Sequence, residues 1–317
     1  MAAGRPARRP LSAEVPVAVA ARDAIAAGLV VLDRELRAAR AGKVEGVHQL
    51  RVAIRRLRTA LTLFECALPR RTAQALEREL GELGRAVGPV RDLDVLALAV
   101  GRHGRKIDPA FEPAVATIRR HVRDHRTSAH ALLASTLDAP RTRRMTARLR
   151  ALARQRGGDV TPTGAVAAGL VRPLVRELGR AGRKSHTDPS PEALHKLRIR
   201  AKHLRYALEA LDGLGGKATR ALARRQAELQ HVLGDQRDAL TQRAWLLDEV
   251  PAFAGDAEAL VALGSIAEAL RRQADRIARR VPRVWRRVDR PKRVAAMLDE
   301  LAGDGRTTVR RAAARAA

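Results

Sequence analysis

The stretch HQLRVAIRRLRTAL at 48–61 returns at 195–208 as HKLRIRAKHLRYAL. A duplication constrains a fold more than any composition does, because whatever the first copy builds, the second must build in related form. At this register His48/His195, Leu50/Leu197, Arg51/Arg198, Leu57/Leu204, Arg58/Arg205, Ala60/Ala207 and Leu61/Leu208 are identical, and Arg55/Lys202 keeps its charge. A second matched piece follows each copy, GPVRD at 88–92 and GDQRD at 234–238. The polar run Gln155-Arg156-Gly157-Gly158-Asp159 lies between the copies and reads as a junction. The chain therefore divides into halves at 12–156 and 157–303, with basic tails at 1–11 and 304–317.

The repeated unit reads as all-α. Hydrophobic residues are 46% of the chain but aromatics only 2%, so the core must come from Leu, Val and Ala. Ala and Leu favour helices, whereas sheets draw on β-branched and aromatic residues. Proline follows a capping residue at Asp108-Pro109, Thr161-Pro162 and Asp188-Pro189, marking helix starts. Gly42, Gly88, Gly182, Gly213 and Gly234 read as helix ends. The single cysteine, Cys66, excludes an internal disulfide and reads as a small core residue. No apolar run reaches the roughly 18 residues of a membrane span, so the chain reads as cytoplasmic with no membrane partner.

Basic residues number 62, seven of them lysines, against 34 acidic ones, a net charge of +28. Such a field attracts polyanions, but its placement says more than its size. On a helix His48, Arg51, Arg55 and Arg58 fall within one arc of about 80°, with Leu50, Ile54, Leu57 and Leu61 opposite. His195, Arg198, Lys202 and Arg205 repeat the arc, each stripe being roughly 15 Å long. A solvated face normally interleaves acids with bases. Neither stripe has a carboxylate between its ends, and like charges three and four apart repel. Two copies in one register point to a surface completed by an anion. Arg56 and Lys196 beside the stripes, and Arg119, Arg123 and Arg126 in IRRHVRDHRTSAH, are candidate further contacts.

VHQLRVAIRRLRTAL with VGPVRDLDV, and LHKLRIRAKHLRYALEAL with LGDQRDAL, resemble the CHAD family (conserved histidine α-helical domain) over nearly the whole chain. The resemblance implies two pseudo-symmetric four-helix bundles joined into one unit. It also implies binding of inorganic polyphosphate in a basic cleft between them, and association with polyphosphate granules. The family pattern falls on His48, Arg51, Arg55 and Arg58, and on His195, Arg198, Lys202 and Arg205. The Glu-x-Glu-x-Lys motif of the CYTH triphosphatases often fused to this family is absent, so the chain looks like a stand-alone member.

Arginine suits such a ligand, since its planar fork donates to two oxygens and stays charged. A nucleic-acid binder is the alternative, open to weak non-specific contact through charge, but few aromatics exist to stack bases. Phosphoryl transfer would need carboxylates holding Mg²⁺, and the stripes supply none, so neither catalysis nor a cofactor is expected. His121 and His125 sit four apart, yet Arg119, Arg120, Arg123 and Arg126 around them argue against a metal. LDGLGGKAT at 211–219 imitates a phosphate loop but lacks its first glycine and final Ser/Thr, and reads as a turn. Arg91-Asp92 and Arg237-Asp238 read first as structural ion pairs or helix starts, with anion binding the second reading.

Overall fold

The computed structural model describes residues 11–303 with side chains and the backbone on to 316. The described residues are mostly helical and contain no strand. In chain order the helices are α1 (Val17–Arg40), α2 (Val44–Leu63), α3 (Arg70–Gly104), α4 (Glu112–Asp138), α5 (Pro140–Arg154), α6 (Thr163–Thr187), α7 (Pro191–Ala210), α8 (Lys217–Asp248), α9 (Ala257–Ala278), α10 (Val281–Val288) and α11 (Pro291–Ala316). Short 3₁₀ turns lie at Glu65–Ala67, Pro109–Phe111 and Val250–Phe253.

The order of helix packing repeats along the chain. α1 lies on α2, α2 on α3, α3 on α4, and α5 returns to α1; α6, α7, α8, α9 and α11 repeat the order. Where the two halves meet, Val17 N–H donates to Thr161 O at 2.8 Å and Thr163 N–H donates to Val15 O at 2.8 Å. These bonds interchange under the 146-residue offset that relates GPVRD to GDQRD, and Pro16 faces Pro162 between them. One departure separates the copies. α4 runs unbroken for 27 residues, whereas its counterpart splits into α9 and α10 at Arg279-Arg280. Pro282, in the first turn of α10, has no N–H to continue a helix from α9.

Buried apolar residues form two clusters, and neither is confined to one half. The larger joins Ile25, Leu57 and Leu76 to Val171, Leu204 and Leu229. The smaller joins Leu96, Val100 and Ile118 to Leu246, Leu263 and Ile266. The long helices α3 and α8 therefore serve both cores, their first turns in one and their last in the other. The cleft described below opens where they pass between the two.

Several sequence signals act differently in the fold. Gly42 and Gly213 do end helices, with φ of 72° and 110°. Gly88, Gly182 and Gly234 instead lie inside α3, α6 and α8. Gly88 makes room, because a Cβ there would lie 3.2 Å from Arg51 Nη1. Nothing in the structure explains Gly234. Cys66 is exposed in a 3₁₀ turn and belongs to no core. Helix α7 starts at Pro191, capped by Ser190, two residues beyond the Asp188-Pro189 signal. Leu11, assigned to the N-terminal tail, is buried and donates its N–H to Asp212 O; the rest of that tail lies outside the described residues. Helical backbone of α11 continues through 304–316, where a tail was expected.

At Gly182 a Cβ would run into the Trp285 ring, so this glycine leaves room on α6 for a side chain of α10. Gly182→Ala should destabilise the protein by about 1–3 kcal/mol through overpacking. An unchanged denaturant midpoint would mean that α10 moves aside without cost.

Candidate functional site

Helices α2 and α7 lie side by side, with α3 and α8 beside them. Between the four opens a cavity of about 480 Å³. α2 lines it with His48, Arg51 and Arg55, α7 with His195 and Arg198, α3 with Arg91 and Asp92, and α8 with Arg237 and Asp238. Every pair except Arg55 is repeat-related. The amphipathic register explains the convergence: Leu50, Ile54 and Leu57, and Leu197, Ala201 and Leu204, are sunk in the larger core, which turns the polar arcs toward the opening. The lining departs from the repeat where Gln242 stands at the position equivalent to Leu96, and Trp245 also lines the cavity.

Not every residue of the stripes reaches the cavity. Arg58 donates to Glu77 Oε1 at 2.8 and 2.5 Å. Arg205 donates to Glu209 Oε1 at 2.8 Å and to Gln230 Oε1 at 3.0 Å. The outer ends of both stripes are thus neutralised by acids outside the arcs. Lys202 stands behind the lining, largely buried, with Arg198, Arg55 and Arg51 as its strongest electrostatic neighbours. Arg56 pairs with Glu209 at 3.3 Å. Lys196 and Arg123 are exposed outside the lining, and Arg119 pairs with Glu112. Arg126 holds the buried Asp94 at 2.7 Å and Gly42 O at 2.9 Å, a structural link between α4, α3 and the α1–α2 turn. Arg91 and Arg237, in contrast, enter the cavity from mid-helix, so the second repeated motif contributes to the site directly.

Burial and crowding of like charges shape the electrostatics. Arg55 and Arg198 are held below the usual guanidinium range, first by burial and then by neighbouring arginines. Lys202 is lowered to about 7, again by burial first and then by Arg198, Arg55 and Arg51. Burial, then Arg91 at His48 and Arg237 at His195, lowers both imidazoles below 6.5. Asp92 is raised by the surrounding protein, with the like charge of Asp238 adding to this against the pull of Arg51. Among the described residues that line the cavity, the ion pair of Arg198 with Asp238 is loose at 3.9 Å. The buried donors Arg55 Nε and Arg198 Nε, and the buried ring atom His195 Nδ1, have no partner. Unpaired buried polar groups cost free energy, so the cleft is organised around charge it does not itself balance.

A CHAD domain model matches residues 23–247, which contain both stripes and both Arg-Asp motifs. The chain belongs to the CHAD domain family. The match ends near the close of α8, so α9, α10 and α11 complete the second half beyond it. Among solved structures, the fold is similar to the CHAD domain of the plant Ricinus communis, with a TM-score of 0.63 and 25% identity over 95% of this chain and 96% of that one. It is also similar to PptA from Streptomyces chartreusis, with a TM-score of 0.71 and 18% identity over 86% of this chain and 99% of that one. Two uncharacterized Mycobacterium tuberculosis proteins, MT2285 and Rv2226, are each 29% identical over 227 residues, 67% of this chain. The chain spans only 42% of their length. No helix among the described residues of this CHAD protein is long and apolar enough to cross a membrane.

The phosphate-loop imitation at 211–219 is a turn whose donors are already used. Glu300 of α11 accepts from Ala218 N–H at 2.8 Å and from Thr219 N–H at 2.9 Å, filling the N-terminus of α8. Tyr206 is buried beneath the cleft, with the Arg55 and Arg205 guanidinium carbons 5.8 and 5.7 Å from its ring centre, and acts in packing. Of the three histidines on α4, His130 binds Ala39 O. The other two, His121 and His125, meet Glu249 at the end of α8, a group with the donors for a cation.

Proposed function

We propose that the cleft binds inorganic polyphosphate and performs no chemistry on it. The observation that carries this is the convergence of Arg51, Arg55, Arg91, Arg198 and Arg237 from four helices on one cavity, with only Asp92 and Asp238 opposing them. A phosphate chain offers charge and acceptor oxygens at every repeat and no bases to read, and it is thin enough to enter. Guanidinium groups from both halves would hold successive phosphates through paired N–H donors. The family membership supports this reading, as does the polyphosphate association of CHAD domains. The matched packing of α1–α5 and α6–α11 supports two bundles derived by duplication. A chain of this kind would reside in the cytoplasm, at polyphosphate granules.

Duplex DNA would touch only the rim of so narrow an opening, and Trp245 is the sole aromatic in the lining for stacking a single strand. Competition decides the matter. Labelled polyphosphate bound at low and at physiological salt should be displaced by unlabelled polyphosphate far better than by duplex DNA at equal phosphate concentration. Equal displacement would make this a general polyanion surface. Phosphate release with Mg²⁺ or Mn²⁺ would instead recruit Asp92 and Asp238 as metal ligands and make the cleft an active site.

A further inference from the structure

We propose that His121, His125 and Glu249 form a divalent-metal site of the zinc class, separate from the anion cleft and joined to it through Trp245. Glu249 Oε2 lies 2.8 Å from His121 Nε2 and 3.5 Å from His125 Nε2, and donor atoms of all three lie within 4.8 Å of one another. Zinc–ligand bonds of about 2.0–2.1 Å at tetrahedral angles separate donors by about 3.4 Å. The observed spacings bracket that value. A cation would take the place of the His121–Glu249 hydrogen bond, with small side-chain shifts. Two imidazole nitrogens and one carboxylate oxygen make a three-ligand zinc set, and the fourth position is left for water.

The arginines that seem to forbid a cation point elsewhere. At 100° per residue, Arg119, Arg120, Arg123 and Arg126 all fall about 120° or more from the centre of the His121–His125 face. Arg119 is paired with Glu112 and Arg126 with Asp94, while Arg120 and Arg123 are exposed on the far side. The near environment is aromatic. The ring centres of Phe253 and Trp245 lie 5.0 and 5.9 Å from that of His121, and Trp245 stands edge-on to His125 at 5.3 Å. This wall limits water on one side and fixes both rings. Trp245 also lines the anion cleft, so this one residue borders both sites.

The arrangement provides its own reporter. Cobalt(II) added to the metal-free, polyphosphate-free protein should bind one ion per chain, give the visible absorption of a low-coordinate site and quench Trp245 fluorescence. Zinc should displace the cobalt and restore the emission. Changes in outer-shell groups at metal sites already cost about 10–100-fold in affinity, so His121→Gln and Glu249→Gln should each cost at least that. The control is His231→Gln, which removes an exposed histidine beside Asp235 on α8 and should change nothing. Circular dichroism would show that the variants keep their helices. Absence of stoichiometric cobalt binding by the parent overturns the proposal. So does retention of that binding in folded His121→Gln or Glu249→Gln, which would leave a hydrogen-bonded His–Glu pair with a purely structural role. Neither outcome depends on whether the cleft binds polyphosphate.

Discussion

Arg51→Glu together with Arg198→Glu should weaken polyphosphate binding at least about a hundredfold. Each arginine faces the cavity from one half, and a hydrogen bond to a charged group contributes about 1.5–3 kcal/mol. Losing both is then about 3–6 kcal/mol, or two to four factors of about ten. Reversal adds repulsion next to Asp92 and Asp238, which already stand close enough for Asp238 to raise Asp92. The matched control is Arg283→Glu with Arg286→Glu on α10, both exposed and away from the cleft. It makes the same change in net charge at screened positions and should cost no more than about threefold. Binding isotherms at constant ionic strength compare the two. Equal losses would mean that the total field of +28, and no particular cleft, retains the anion.

How far the sequence revealed this site can be followed residue by residue. Periodicity and repeat register sufficed to put His48, Arg51 and Arg55 opposite a buried leucine face, and to set His195 and Arg198 as their partners. They did not reveal which stripe residues would be neutralised. Glu209 lies one turn past Arg205 and was within reach of an i,i+4 count carried beyond the stripe. Glu77 comes from another helix and left no local trace. Arg91 and Arg237 looked like helix starts because Gly88 and Gly234 precede them. Glycine stop signals are local, however, whereas α3 and α8 are kept helical through these points by packing in both cores. Counted along the chain, the arginines around His121 and His125 argue against a cation there. Helical angles send those arginines away, and Glu249 arrives 124 residues after His125 because α4 and α8 both pack on α9.

Affinity for polyphosphate should fall as pH rises, gently in the histidine range and more steeply above about pH 7. In the free cleft Lys202 loses its proton at about 7, because burial and then Arg198, Arg55 and Arg51 disfavour its charge. A polyanion seated among those arginines favours the charged form, so the pKa in the complex is higher. Between the two values binding takes up a proton, and affinity declines by at most about tenfold per pH unit. His48 and His195, both lowered below 6.5, add a decline of the same sign that starts at lower pH. Stability of the free protein should move the other way. The unfolded chain holds the Lys202 proton up to its ordinary value of 10.5, while the folded one releases it at about 7. More protons on the unfolded state mean that stability rises with pH across this window. Lys202→Arg keeps a charge at every pH and should flatten the upper limb of the affinity curve, and His48→Gln with His195→Gln the lower limb. Constant ionic strength is needed throughout, since counterion release adds its own salt dependence. An upper limb that survives in Lys202→Arg would assign the proton to another group, and a flat parent curve would leave the permanently charged arginines as the whole of the binding determinant.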